Sequence, residues 1–137
     1  MILVLIDTNV LISAALFPHS VPAQAYMKAV VPPHDAVVCD YSMDEMRRVY
    51  NRKFPHRIQD FERFVSQLAL SVEIVATPPE VEHAHDEIMI RDAKDHPVLR
   101  SAIAANVDAI LTGDKDFLES GIAIPKIMTA AEFLNMI

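Results

Sequence analysis

Ile2-Leu3-Val4-Leu5-Ile6-Asp7, near one end of the chain, and Ala109-Ile110-Leu111-Thr112-Gly113-Asp114, near the other, share one form: a short run with a strongly apolar start, closed by an acid. Runs of this kind suit strands buried on both faces, as in a parallel sheet. Both acids would then leave the sheet at its C-terminal edge, where open parallel sheets bind their ligands. Carboxylates gathered at one such edge can hold a cation.

Two more strand patterns lie at residues 36–39 and 72–76, each beside helical spacing. Residues 9–16 are apolar at helical intervals and stop before Pro18. A second helix is expected over residues 20–31, closed by Pro32-Pro33. Ser42-Met43-Asp44-Glu45 has the form of a capping box opening a helix to about Lys53. Ile58, Phe61, Phe64, Val65 and Leu68 define a helix within residues 57–70. Beyond Pro78-Pro79, a polar stretch through Asp92 reads as a loop with one short helical turn. Asp95 is placed to cap a helix over residues 96–105, with Pro97 in its first turn. Thr129-Ala130-Ala131-Glu132 repeats the capping-box pattern at the last helix. Strands alternating with helices imply one α/β domain over residues 1–137. Its expected form is three α/β/α layers around a central, mostly parallel sheet of four or five strands.

Composition narrows the function. The 137 residues are 52% hydrophobic, yet no apolar run approaches the ~20 residues needed to span a bilayer. Met1-Ile2-Leu3-Val4 lacks a basic stretch and a small-residue cleavage site, so it is expected to be the first strand and not a signal peptide. A lone Cys39 allows no internal disulfide, which suits a reducing cytoplasm. It sits in an apolar run as a small core residue. The two glycines cannot build a phosphate-cradling loop, which excludes nucleotide-binding enzymes of those kinds. The formal charge of −7 argues against binding nucleic acid through an overall basic field. The charge is uneven, however: Arg47, Arg48, Arg52, Lys53 and Arg57 are five of the twelve Lys and Arg residues.

Four carboxylates are expected at strand ends or in the first turns of the helices that follow: Asp7, Glu45, Asp95 and Asp114. With neighbours ~5 Å apart and an effective dielectric of ~20, each close pair repels by roughly 3 kcal/mol. Helix N-termini offset only about 0.3–1 kcal/mol each. Such a cluster must hold protons or bind a cation, and oxygen-only ligands favour Mg²⁺ or Mn²⁺ over zinc. Divalent ions at such a site can support phosphodiester hydrolysis without a covalent side-chain nucleophile. Arg48 and Arg52, three and seven positions beyond Glu45, could meet flanking phosphates.

Each of these residues also has a structural reading. Glu45 serves as the third residue of the Ser42 capping box, Asp95 as an N-cap, and Arg48 as an exposed partner of Asp44. Asp7 is the hardest to explain this way, since few structural duties fall to an acid after five apolar strand residues. Asp92 is a weaker candidate ligand than Asp95 because of its loop position. His83 and His85 do not face each other on a helix, and no cysteine completes a zinc set. The methionines, such as Met27, Met46 and Met89, read as core filling or termini. An aspartyl-phosphate phosphotransferase would also place an Asp after a buried strand. The dehalogenase-like pattern wants a second Asp where this chain has Asn9. A non-catalytic module, either receiver-like or a degenerate nuclease, is the remaining alternative. Adjacent receiver acids are missing, and all four candidate carboxylates are present.

Ile6-Asp7-Thr8-Asn9-Val10-Leu11-Ile12-Ser13-Ala14 resembles the opening motif of PIN-domain nucleases. Residues 91–117, from Arg91-Asp92-Ala93-Lys94-Asp95 to Asp114-Lys115-Asp116-Phe117, resemble that family's second half. The similarity is greatest to its branch of bacterial toxins from toxin–antitoxin pairs, and the closing residues 127–134 fit as well. The resemblance implies a Mg²⁺- or Mn²⁺-dependent ribonuclease with catalytic acids Asp7, Glu45, Asp95 and Asp114, and Asp116 as an additional ligand. Asn9 would support the first acid, and Thr112 would supply a supporting hydroxyl. A small antitoxin and a homodimer are the partners it implies, beside the RNA substrate.

Overall fold

The computed structural model describes residues 2–80, 90 and 93–136. Its five-stranded sheet contains β1 (Leu3–Ile6), β2 (Asp35–Cys39), β3 (Glu73–Val75), β4 (Ala109–Leu111) and β5 (Lys126–Met128). The strand order is β3-β2-β1-β4-β5, and every pairing is parallel. Four strands fall where the apolar runs place them. β5 is a three-residue edge strand whose run is too short to declare itself in sequence.

Alternation along the strands makes two cores from one sheet. Val4, Ile6, Val38 and Leu111 pack on one face against α1 (Thr8–Leu16), α2 (Val21–Ala29), α3 (Asp40–Lys53), α4 (Ile58–Ser71) and the C-terminal helix. Leu5, Val37, Cys39 and Ile110 face the other way. They meet Val98, Leu99 and Ala102 of α5 (His96–Ala104) and Phe117 of α6 (Lys115–Leu118). The three-layer α/β/α arrangement is therefore that expected from the sequence.

Local signals explain most helix ends. Ser20 accepts the Ala23 N–H at 3.2 Å and opens α2. Both halves of the capping box at Thr129 and Glu132 form, each at 3.1 Å, and open α7 (Ala130–Asn135). Asn106 takes φ 55° just past α5, a left-handed turn that asparagine tolerates better than most side chains. The Ser42 capping box does not form. β2 runs straight into α3 through Cys39, so the helix starts at Asp40 and Ser42 lies inside it. The Ser42 hydroxyl is buried, 3.3 Å from the Cys39 sulfur.

The order of the sheet locates the ligand edge. β1 is central, the chain steps outward through β2 and β3, and it returns on the opposite side as β4. The C-terminal ends of β1 and β4 therefore flank the topological switch point.

Candidate active site

Asp7 leaves β1 with its backbone N–H bonded to the Leu111 carbonyl at 2.9 Å, so the sheet itself fixes it. It is also the N-cap of α1, and its Oδ1 accepts the Thr8 N–H at 2.8 Å. Oδ2 accepts the Thr112 hydroxyl at 2.7 Å. Thr112 Oγ1 in turn accepts the Asp114 N–H at 3.0 Å. One threonine therefore couples the first acid to the loop carrying the last. Asn9, expected to support Asp7, makes no hydrogen bond to it; both Asp7 oxygens are held by Thr8 and Thr112.

A cavity of about 220 Å³ opens at this edge, and Asp7, Glu45, Asp95 and Asp114 all line it. Glu45 is in the second turn of α3, beyond the first turn where the sequence placed it, because the helix starts at Asp40. Val49, Arg52 and Lys53 follow it around the same cavity at i+4, i+7 and i+8, one helical face. Arg48 is not in this lining; its guanidinium lies 5.8 Å from the Tyr41 ring centroid. Of the other basic residues, Arg47 pairs with Glu62 at 2.6 Å and Arg57 with Asp60 at 3.3 Å. Arg52 and Lys53 are thus the cations of this stretch that face the acids. In the sequence Lys53 counts only as part of the basic stretch and Thr8 only as part of the opening motif, neither with a role at the site. The period of α3 counted from Glu45 is the signal that finds Lys53.

Asp95 stands at the N-cap position of α5 without capping it. The 3₁₀ turn Ala93–Asp95 gives it a helical backbone, φ −86° and ψ −15°, and its side chain makes no cap bond. It is buried and lines the acid cavity. Asp114 caps α6, with Oδ1 accepting the Asp116 N–H at 2.8 Å. Asp116 lies within α6 and is not among the cavity-lining residues. Asp92, His83, His85 and Met89 fall outside the described residues, as does the loop expected before Asp92 over positions 81–89 and 91–92.

Burial is the largest influence on Asp7 and pushes its pKa from 3.8 to about 6. The Thr112 and Thr8 hydrogen bonds pull it down, while the Glu45 and Asp114 charges push it up. Those charges are near enough to be felt. Among the described residues, however, no three His, Cys, Asp or Glu side chains converge closely enough to chelate an ion as they stand. The donor set nevertheless fits a hydrated Mg²⁺ or Mn²⁺. Mg²⁺ commonly keeps several waters and takes only one or two carboxylates directly. At ~30 Å³ per water the cavity has room for roughly seven. The Thr8 hydroxyl, buried in its wall, has no hydrogen-bond partner among the described residues and offers a further polar contact.

The sequence matches the PIN domain family over residues 3–116. No curated protein matches it significantly. Among solved structures, a chain of VapBC2 from Rickettsia felis, bound to a DNA fragment from the promoter, superposes with a TM-score of 0.66. The two are 11% identical, and the match covers 93% of this chain and 98% of that one. At that identity the likeness speaks for the fold. No helix among the described residues is long and apolar enough to cross a membrane.

Proposed function

This chain belongs to the PIN-domain family, and on that premise we propose that it is a divalent-metal-dependent endoribonuclease, the toxin half of a toxin–antitoxin pair acting in the cytoplasm. The observation that carries the reading is one cavity lined by Asp7, Glu45, Asp95 and Asp114, with Arg52 and Lys53 on its wall. Acids of one sign at that density require compensation, and a hydrated Mg²⁺ or Mn²⁺ supplies it. The cations would engage the phosphates of the substrate.

In this account Asp7, Glu45, Asp95 and Asp114 are the residues that would hold the ion. A bound ion would supply Lewis acidity, the chemistry that hydrolysis of a phosphodiester needs. Thr8 and Thr112 hold the Asp7 carboxylate in one orientation, so that it is set before substrate arrives. Arg52 and Lys53 bind phosphate oxygens and orient the strand. Arg48 is assigned no such role, since it lies over Tyr41, and Asp116 none as a ligand.

Partnership with a small antitoxin is supported by the resemblance of residues 91–117 and by the fold shared with a VapBC2 chain. A groove of about 390 Å³ between α1, α2 and α4, with apolar walls from Tyr26, Met27 and Phe64 and a charged edge from Arg57, Asp60 and Arg63, would be the docking face. A homodimer belongs to the same proposal.

The purified protein is expected to cut RNA internally with Mg²⁺ or Mn²⁺ and not in EDTA. Asp7→Asn should lower the rate about a thousandfold or more. If Asp7→Asn cuts RNA as fast as the natural chain, the assignment fails and a non-catalytic, partner-binding role takes its place.

A further inference from the structure

Beside the acid cavity lies a second cleft, of about 230 Å³, between α1, the start of α2, the loop after β4 and the start of α7. Among the described residues, none that lines it is charged. Val10, Pro22 and Ala130 supply apolar walls, while Asn9 and Ser13 supply polar groups. Asn9 and Ser13 are four apart on α1 and so share a face. Among the described residues, the Asn9 amide and the Ser13 hydroxyl have no hydrogen-bond partner, in contrast to Thr129, which is engaged in capping α7. The two cavities adjoin: Asn9 lines both, and Thr112, which lines this cleft, donates to Asp7.

We infer that this neutral cleft is a subsite for one nucleobase of the RNA, next to the phosphate that is cut. The inference rests on the ribonuclease reading above and extends it to base recognition. A phosphate has nothing to attract it here, since the cations Arg52 and Lys53 lie along the acid cavity. A base is neutral, presents apolar faces and carries donors and acceptors on its edge. The cleft has walls for the faces, and an amide plus a hydroxyl for the edge. Its volume of about 230 Å³ leaves room for a single planar base. Asn9 offers both a donor and an acceptor, and Ser13 can act as either. Selection among bases follows, because a base that leaves such groups unpaired is disfavoured.

Uncharged ribonucleosides separate this proposal from the cleavage chemistry. The full-length protein in EDTA is titrated with adenosine, cytidine, guanosine and uridine, and backbone amides are followed by NMR. At least one nucleoside should give saturable shifts at Asn9, Ser13 and Gly113. Ser13→Ala, which removes a single hydroxyl, should weaken it about tenfold, and Ser13→Leu, which fills the cleft, should weaken it further. Cleavage of a randomised RNA pool with Mn²⁺ should show a base preference beside the cut that Ser13→Ala flattens. If no nucleoside gives saturable shifts there, or both variants bind like the natural chain, the subsite is overturned even when RNA is cut. Saturable nucleoside binding without RNA cleavage would overturn the ribonuclease reading instead and leave the cleft as a nucleoside site.

Discussion

Asp7 carries two duties that conflict. As the N-cap of α1 and the partner of Thr112, it is held at the sheet's edge, and burial then raises its pKa to about 6. A carboxyl whose folded pKa lies above its unfolded value, near 3.9, binds protons better folded than unfolded. The stability this proton brings is complete below about pH 4 and lost as the pH rises through about 6. Without divalent ions, Asp7→Asn should therefore stabilise the protein at pH 7. The linkage gives about 3 kcal/mol, and the realised gain should be about 1–3 kcal/mol because an amide serves only one of the two donors well. At pH 4 the gain should vanish. Urea unfolding of both proteins at the two pH values, in EDTA, measures the difference. An Asp7→Asn variant less stable than the natural chain at pH 7 would show that the buried charge is already compensated within the protein.

Among the elements, α3 and α5 separate what sequence can and cannot tell. The apolar runs at β1 and β4 declare themselves because a strand buried on both faces has no polar alternation, so the place of Asp7 and Asp114 at the sheet edge is legible with them. Glu45 was found with its helix start misplaced. Ser42 and Glu45 have capping-box spacing, but β2 passes into α3 with no intervening turn, and a pattern of four residues does not encode that continuity. Asp95 was expected to cap; whether the turn before a helix is extended or 3₁₀ depends on tertiary packing. Asn9 and Arg48 show a similar limit, since sequence spacing supplies proximity but not rotamers.

The last helix is held by a contact that no local pattern announces. Lys28 of α2 donates to the carbonyls of Phe133 and Met136, at 2.8 and 2.9 Å, and its ammonium lies 4.8 Å from the Phe133 ring centroid. A cation at the carbonyl end of a helix, where Phe133 O also accepts the Met136 N–H at 3.2 Å, meets the helix dipole favourably. Lys28→Met keeps the aliphatic stem and removes the charge. It should cost about 1–3 kcal/mol in urea unfolding and speed amide exchange in Ala130–Asn135 more than in β1. An unchanged midpoint with unchanged exchange in α7 would show that packing of Phe133 alone holds the helix.

For the molecule as a whole, the parallel sheet turns separation in sequence into proximity. Strand order places β1 between β2 and β4, so acids from positions 7, 45, 95 and 114 reach one cavity although each comes from a different element. The net charge of −7 falls into place on the same view. On the proposed function, acids crowd where a cation would sit, and Arg52 and Lys53 on the same cavity wall would give the substrate's phosphates a local foothold.

The proposal that these acids share a divalent ion is most directly tested by soaking crystals of the protein in MnCl₂ and collecting data at a wavelength where manganese scatters anomalously. The anomalous peak should lie inside the cavity bounded by Asp7, Glu45, Asp95 and Asp114, and it should disappear in the Asp7→Asn protein. Manganese bound only elsewhere on the surface, with the acid cavity free of any peak at saturating concentration, would contradict it.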